Sequence, residues 1–104
     1  MSSSIRVWII DPDEQERLHL RKALRGREAR FRITESTRLR DLPDALAGGA
    51  FDIALIDLDG WPQPFEALDQ VRAQLPDLPI IVLSQTDHAG PAVQRGADGF
   101  VMKT

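Results

Sequence analysis

Hydrophobic and polar positions follow two rhythms along this chain. Short apolar runs rich in β-branched residues fall at 5–10, 31–34, 51–56, 80–83 and 100–102, the pattern of strands. Between them, apolar residues recur at helical spacing over 14–24, 39–47 and 65–75, with Leu20/Ala23/Leu24, Leu39/Leu42/Leu46 and Leu68/Val71/Leu75 as the apolar stripes. A shorter fourth helix is predicted around 91–95. Gly48-Gly49, Pro76 and Gly96 supply the stops. Strands alternating with helices predict an α/β fold with a parallel sheet and right-handed crossovers. The run Ile80-Ile81-Val82-Leu83 lacks alternation, which suits a strand covered on both faces. Five strands with only four helices leave part of one sheet face bare. The expectation is therefore a single domain over 1–104 that is a fragment of a longer protein, or a partner that covers that face.

Composition narrows the chemistry. A chain of 104 residues supports one core, and no apolar run approaches the roughly 20 residues that span a bilayer. The opening Met1-Ser2-Ser3-Ser4 has neither the basic nor the apolar region of a secretion signal, so a cytoplasmic location is expected, without membrane contact. Cysteine is absent from the chain, which removes disulfides, thiolate metal sites and thiol nucleophiles together. The net charge of −3 offers no field for direct nucleic-acid binding. Arg21, Lys22, Arg25, Arg27 and Arg30 are concentrated in one stretch, read as the solvated face of a helix.

Ligands of an open parallel sheet bind at the carboxyl ends of the strands, where strand order reverses. After the first run comes Asp11-Pro12-Asp13-Glu14; after the third, Asp57-Leu58-Asp59-Gly60; after the fourth, Ser84-Gln85-Thr86-Asp87; at the end of the fifth, Lys103. In the order 2-1-3-4-5 this brings Asp11 and Asp57 together, with Ser84 and Lys103 beside them. Each residue also has an ordinary role. Asp11, with Pro12 next and Glu14 three residues on, reads as a helix cap. A strand-end Asp57 or Ser84 satisfies turn amides, and Lys103 would be solvated. Together they put carboxylates, a hydroxyl and an ammonium on one edge. Crowded carboxylates repel one another, and a hard divalent cation or a lysine relieves that repulsion. The set suits aspartyl-phosphate formation, with a carboxylate attacking phosphorus in line.

At this point the chain resembles a response-regulator receiver (CheY-like) domain of bacterial two-component systems. The carriers are residues 51–59, an apolar strand ending in Asp57; residues 80–84, ending in Ser84; and Gly96-Ala97-Asp98-Gly99-Phe100-Val101-Met102-Lys103. The resemblance implies a flavodoxin-like fold and a non-enzymatic phosphoacceptor role in a phosphorelay. Asp57 would take the phosphoryl group from a histidine kinase or phosphotransfer protein and switch an output domain, a partner protein or a second copy in a homodimer. Ser84 and Lys103 would bind phosphate, and Phe100 would change rotamer as Ser84 moves. Mg2+ would be held by Asp11, Asp57 and the backbone carbonyl of Asp59.

The departures are specific. Pro12 stands where the family has a second acidic residue, a metal ligand, so the site is one ligand short unless Asp13 swings in. Gln85 replaces a usual Ala or Gly and could narrow the approach to Asp57. The fifth helix is missing, and Thr104 replaces proline after the lysine, so a trans Lys103-Thr104 bond is expected. Two alternatives follow. One is a pseudo-receiver, a binding module without phosphorylation. The other is a haloacid-dehalogenase-like phosphatase using Asp11 as nucleophile and Asp13 as general acid, suggested by Ile9-Ile10-Asp11-Pro12-Asp13.

Overall fold

The computed structural model describes residues 4–25 and 30–103. The expectations for Arg27 and for the Lys103-Thr104 bond lie outside the described residues. In chain order the elements are β1 (Ile5–Ile10), α1 (Glu14–Arg25), β2 (Phe31–Ser36), a 3-10 turn (Leu39–Asp41), α2 (Leu42–Gly48), β3 (Ile53–Asp57), α3 (Glu66–Gln74), β4 (Ile80–Ser84), α4 (Ala89–Gln94) and β5 (Gly99–Met102). All strands pair in parallel, in the order β2-β1-β3-β4-β5, as expected of a flavodoxin-like sheet.

Strand pleating sorts the apolar residues onto two faces. Registers Trp8↔Ala54, Ile10↔Ile56, Ala54↔Ile80, Ile56↔Val82 and Val82↔Phe100 define one face. It is sealed by Leu42 of α2, Ala67, Leu68 and Val71 of α3, and Ala92 of α4, all buried. On that face Trp8 stacks on Phe51 at 4.6 Å between ring centroids and donates from its indole Nε1 to Ser36 Oγ at 2.9 Å. The other face carries Val7, Ile9, Leu55, Ile81, Leu83 and Val101. Helix α1 buries no residue completely, and Val101 and Met102 are each 48% exposed.

Several boundaries differ from the sequence expectation. The predicted second helix divides: Pro43 lacks an N–H and sits in the first turn of α2, so the chain ahead of it closes as a 3-10 turn. Strand β3 starts at Ile53 rather than Phe51, because Phe51 is used for stacking and Asp52 pairs with Arg6 at 2.9 Å. The solvated reading of the basic stretch holds for the exposed Lys22, Arg25 and Arg30 but not for Arg21. The Arg21 guanidinium donates to Glu35 at 2.6 Å, alongside Arg17 at 2.9 Å, tying α1 to β2.

At the amino edge of the sheet, Arg72 fixes where β5 begins. Its guanidinium donates to the carbonyls of Gly96, Leu75, Pro76 and Leu78, and to Asp98. Gly96 has φ +99°, a conformation that favours glycine, and a Cβ there would lie 3.0 Å from the Arg72 side chain and press on its hydrogen-bonded guanidinium arm. From this anchor β5 runs to the opposite edge and delivers Lys103.

Candidate functional site

Four strand ends converge. Asp11 follows β1, Asp57 closes β3, Ser84 closes β4 and Lys103 follows β5, and Asp11, Asp57 and Ser84 are buried. Backbone bonds extend the ladder: Asp11 N–H to the Ser36 carbonyl (3.1 Å), Leu58 N–H to Leu83 (2.9 Å) and Lys103 N–H to Ser84 (2.8 Å). The structure thus brings together the residues singled out in the sequence.

It also corrects the start of α1. Asp13 is the cap: its Oδ1 accepts from the amides of Gln15 (2.8 Å) and Glu16 (3.3 Å). Asp11 is not the cap; its Oδ1 accepts from the Asp13 amide at 2.8 Å, which leaves its other oxygen to the site. With Asp13 committed to helix amides, its carboxylate does not swing in, and the acid role that a phosphatase would give it has no support in this geometry. Pro12 lies against the turn after β3, where a Cβ added to Gly60 (φ +84°) would meet the proline ring at 2.8 Å.

Sequence reasoning missed Glu16. One oxygen each from Asp11, Glu16 and Asp57 lie within 4.8 Å of one another, so a carboxylate from the first turn of α1 joins the pair from the sheet. Glu16 Oε1 accepts from Lys103 at 2.6 Å, while Oε2 is buried without a hydrogen-bond partner. Its position in the first turn of a helix that follows a site aspartate was the signal available, and reading only the residues after each strand passed over it. The unpartnered oxygen and the oxygen-only donor set fit a hard divalent cation.

Lys103 is the hub. Its ammonium reaches Asp57 Oδ1 (2.5 Å), Glu16 Oε1 (2.6 Å) and Asp59 Oδ2 (2.8 Å). Burial works against its charge, but the bonds to Asp57, Asp59 and Glu16 together outweigh this and raise its pKa above the ordinary lysine value. Burial pushes Asp57 up to about 6, against the opposing bond and charge of Lys103. Burial, with the charges of Asp57 and Glu16, pushes Asp11 up to about 8 despite the Asp13 amide. These are the signs of a carboxylate cluster short of positive charge.

The side chain of Asp59 takes part as well, beyond the backbone role first considered for it. Its Oδ1 accepts from Ser84 Oγ (2.7 Å) and its Oδ2 from the Gln85 amide (2.9 Å). Burial disfavours its charge, yet Lys103, Gln85 and Ser84 together lower its pKa. Trp61, also missed, donates from its indole to the Asp57 carbonyl at 2.6 Å and pins the turn after β3. The Gln85 side chain is exposed at the rim of a groove of about 430 Å³ that runs from Asp11 and Glu16 along α1 to Leu83 and Val101. Phe100 is partly buried against the sealed face.

No family model and no curated protein matches the chain. Solved structures do match, at probability 1.00. The response regulator TrrA of Thermotoga maritima, in complex with Mg2+ and BeF, aligns with a TM-score of 0.80 at 19% identity, over 96% of this chain and 87% of that one. Chemotaxis protein CheY4 of Vibrio cholerae aligns at 0.81 and 19%, over 97% and 88%. A response regulator of Burkholderia pseudomallei with a phosphorylated aspartic acid, calcium ion and citrate aligns at 0.81 and 21%, over 96% of this chain and 60% of that one. The chain therefore has the fold of response-regulator receiver domains.

Proposed function

We propose that this chain is a phosphoacceptor receiver domain that takes a phosphoryl group on Asp57. The observation that carries this reading is the Lys103 ammonium at 2.5 Å from a buried Asp57 carboxylate, beside the Asp11–Glu16–Asp57 oxygens. A structural lysine would be expected to pair with an exposed acid; here it joins the buried Asp57 carboxylate to those of Glu16 and Asp59. That similar folds include one bound to Mg2+ and BeF and one carrying a phosphorylated aspartic acid supports the same reading.

In the step proposed, an Asp57 oxygen attacks phosphorus in line, the new P–O bond forms as the donor's bond to phosphorus breaks, and the leaving group departs with that electron pair. Lys103 and Ser84 then hold phosphoryl oxygens. Asp11, Glu16 and Asp57, with the Asp59 carbonyl, would hold Mg2+, and Glu16 compensates in part for the ligand absent at Pro12. The cation would screen the repulsion between carboxylates and an anionic donor. The phosphodonor in the cell would be a histidine kinase or phosphotransfer protein, and the readout an output domain, a partner protein or a second copy.

The test is intact mass after incubation with a small phosphodonor across a magnesium series. The parent is expected to gain a phosphate adduct that is absent in Asp57→Asn and increased in Pro12→Asp. No adduct on the parent at any magnesium level, with one restored by Pro12→Asp, would favour the pseudo-receiver reading. Pro12 packed on Gly60, where an acidic ligand is usual, is the observation behind that second reading.

A further inference from the structure

The groups that would receive a phosphoryl group already hold an anion of the chain's own. The Ser84 hydroxyl, the Gln85 amide and the Lys103 ammonium converge on the two carboxylate oxygens of Asp59, at 2.7, 2.9 and 2.8 Å. A hydroxyl, a backbone N–H and a lysine are the donor types that bind oxyanions. We infer that Asp59 is an internal occupant of the oxyanion cradle, which must be displaced before the cradle can hold a phosphoryl group.

The placement of Asp59 is constrained on both sides. Asp57, two residues earlier, is fixed by the sheet and by the Trp61 indole on its carbonyl at 2.6 Å. Gly60, one residue later, takes φ +84° beside the Pro12 ring, a conformation strained for other residues and a space in which a Cβ would meet the ring at 2.8 Å. The residue at the site's most unusual sequence position thus holds the turn that presents the carboxylate. Preorganisation of this kind lowers the entropic cost of the three bonds. The Ser84 hydroxyl is thus engaged with no phosphate present, donating to Asp59 and accepting from the Thr86 amide at 3.0 Å.

The consequence for signalling rests on the acceptor reading of Asp57; the occupancy itself does not. Phosphorylation would replace one anion by another on the same donors, so it would be slow to form and would change the loop after β4 less than in a receiver whose cradle is open. Removing Asp59 should free the cradle.

The experiment follows the Gln85 and Thr86 amide resonances during titration with inorganic phosphate, in metal-free buffer, for the parent, Asp59→Ala, Asp59→Asn and Glu16→Gln. Asp59→Ala is expected to bind phosphate at least about tenfold more tightly than the parent, the scale set by giving up one charge-assisted hydrogen bond. Asp59→Asn keeps an oxygen for one donor and should fall between the two. Glu16→Gln removes the same charge next to Lys103 without touching Ser84 or Gln85, and should change affinity less than Asp59→Ala. Equal phosphate affinity in the parent and Asp59→Ala would overturn the inference. So would equal gains in all three variants, which would reduce Asp59 to bulk charge. Intact mass with the small phosphodonor on the same samples separates the two readings. A cradle that opens in Asp59→Ala while Asp57 never gains an adduct leaves the occupancy standing and removes the acceptor role. An adduct that forms equally fast on the parent and Asp59→Ala keeps the acceptor and removes the barrier.

Discussion

The two faces of the sheet are built from the same five strands and the same kinds of residue, but they are finished differently. One face puts Trp8, Ile10, Ile56, Ile80 and Val82 under three helices and leaves none of them in contact with water. The other, under α1, whose residues are all at least partly exposed, buries Val7 and Ile9 near its β1 centre but leaves Leu55, Ile81 and Leu83 partly covered and Val101 48% exposed. The difference separates two uses of apolar surface. The sealed face holds the fold together, while the open one lies beside the carboxylate edge and joins it through the groove that runs from Glu16 to Val101. Side chains toward the β5 end of the open face can therefore be altered at less cost to stability than those of the sealed face.

The largest expected effect is on the sealed face. Leu68→Ala and Ile80→Ala should each cost about 2–5 kcal/mol, the range for a buried aliphatic residue cut to alanine, read as a loss of roughly 10 °C or more in Tm. On the open face, Leu55→Ala or Leu83→Ala should cost about 1–2 kcal/mol, because less of the side chain leaves contact with protein. Denaturant unfolding of the four variants side by side measures the contrast. Equal losses on both faces would mean that something covers the open face in solution.

A third effect is opposite in sign. In metal-free buffer at neutral pH Asp11→Asn should raise Tm by a few degrees, about 1 kcal/mol, because burial holds the Asp11 carboxyl at about 8, so it must take up a proton on folding that asparagine does not need. The same variant should lose most of the stabilisation that magnesium gives the parent. Differential scanning calorimetry with and without magnesium checks both. If Asp11→Asn is destabilised without metal, the carboxylates are not in conflict, and the metal site loses its physical motive.

The smallest expected effect tests the open face directly. Val101→Lys together with Met102→Lys should change monomer stability by no more than about 0.5 kcal/mol, as for exposed positions. Sedimentation velocity at high concentration then reports association through this face. Self-association in the parent that the double variant abolishes would identify a second copy as the cover, and a monomer in both would exclude it.

Much of the fold was legible because strand ends carry chemistry. Apolar runs that stop at Asp11, Asp57, Ser84 and Lys103 define both the sheet and the edge where its polar side chains gather, and β1–β3 pairing then follows from strand order. What escaped depended on side-chain direction. Asp11 and Asp13 are both good caps by residue type, and only the backbone at Pro12 decides that Asp13 meets the helix amides. Glu16 looked like an ordinary first-turn acid. The family resemblance put Asp59 forward only through its backbone carbonyl, while its carboxylate reaches donors 25 and 26 residues further along the chain, a contact that spacing does not encode.

The bond from the Trp61 indole to the carbonyl of Asp57 gives the chain an optical readout of its own chemistry. An indole emits according to the charges and dipoles near it, and this one is attached to the very residue expected to gain a phosphoryl group, while Trp8 sits fully buried on the sealed face. Emission from Trp61 should therefore shift as cations or phosphodonors arrive, with Trp8 as a constant internal reference, and the kinetics of the site can be followed in the unlabelled protein.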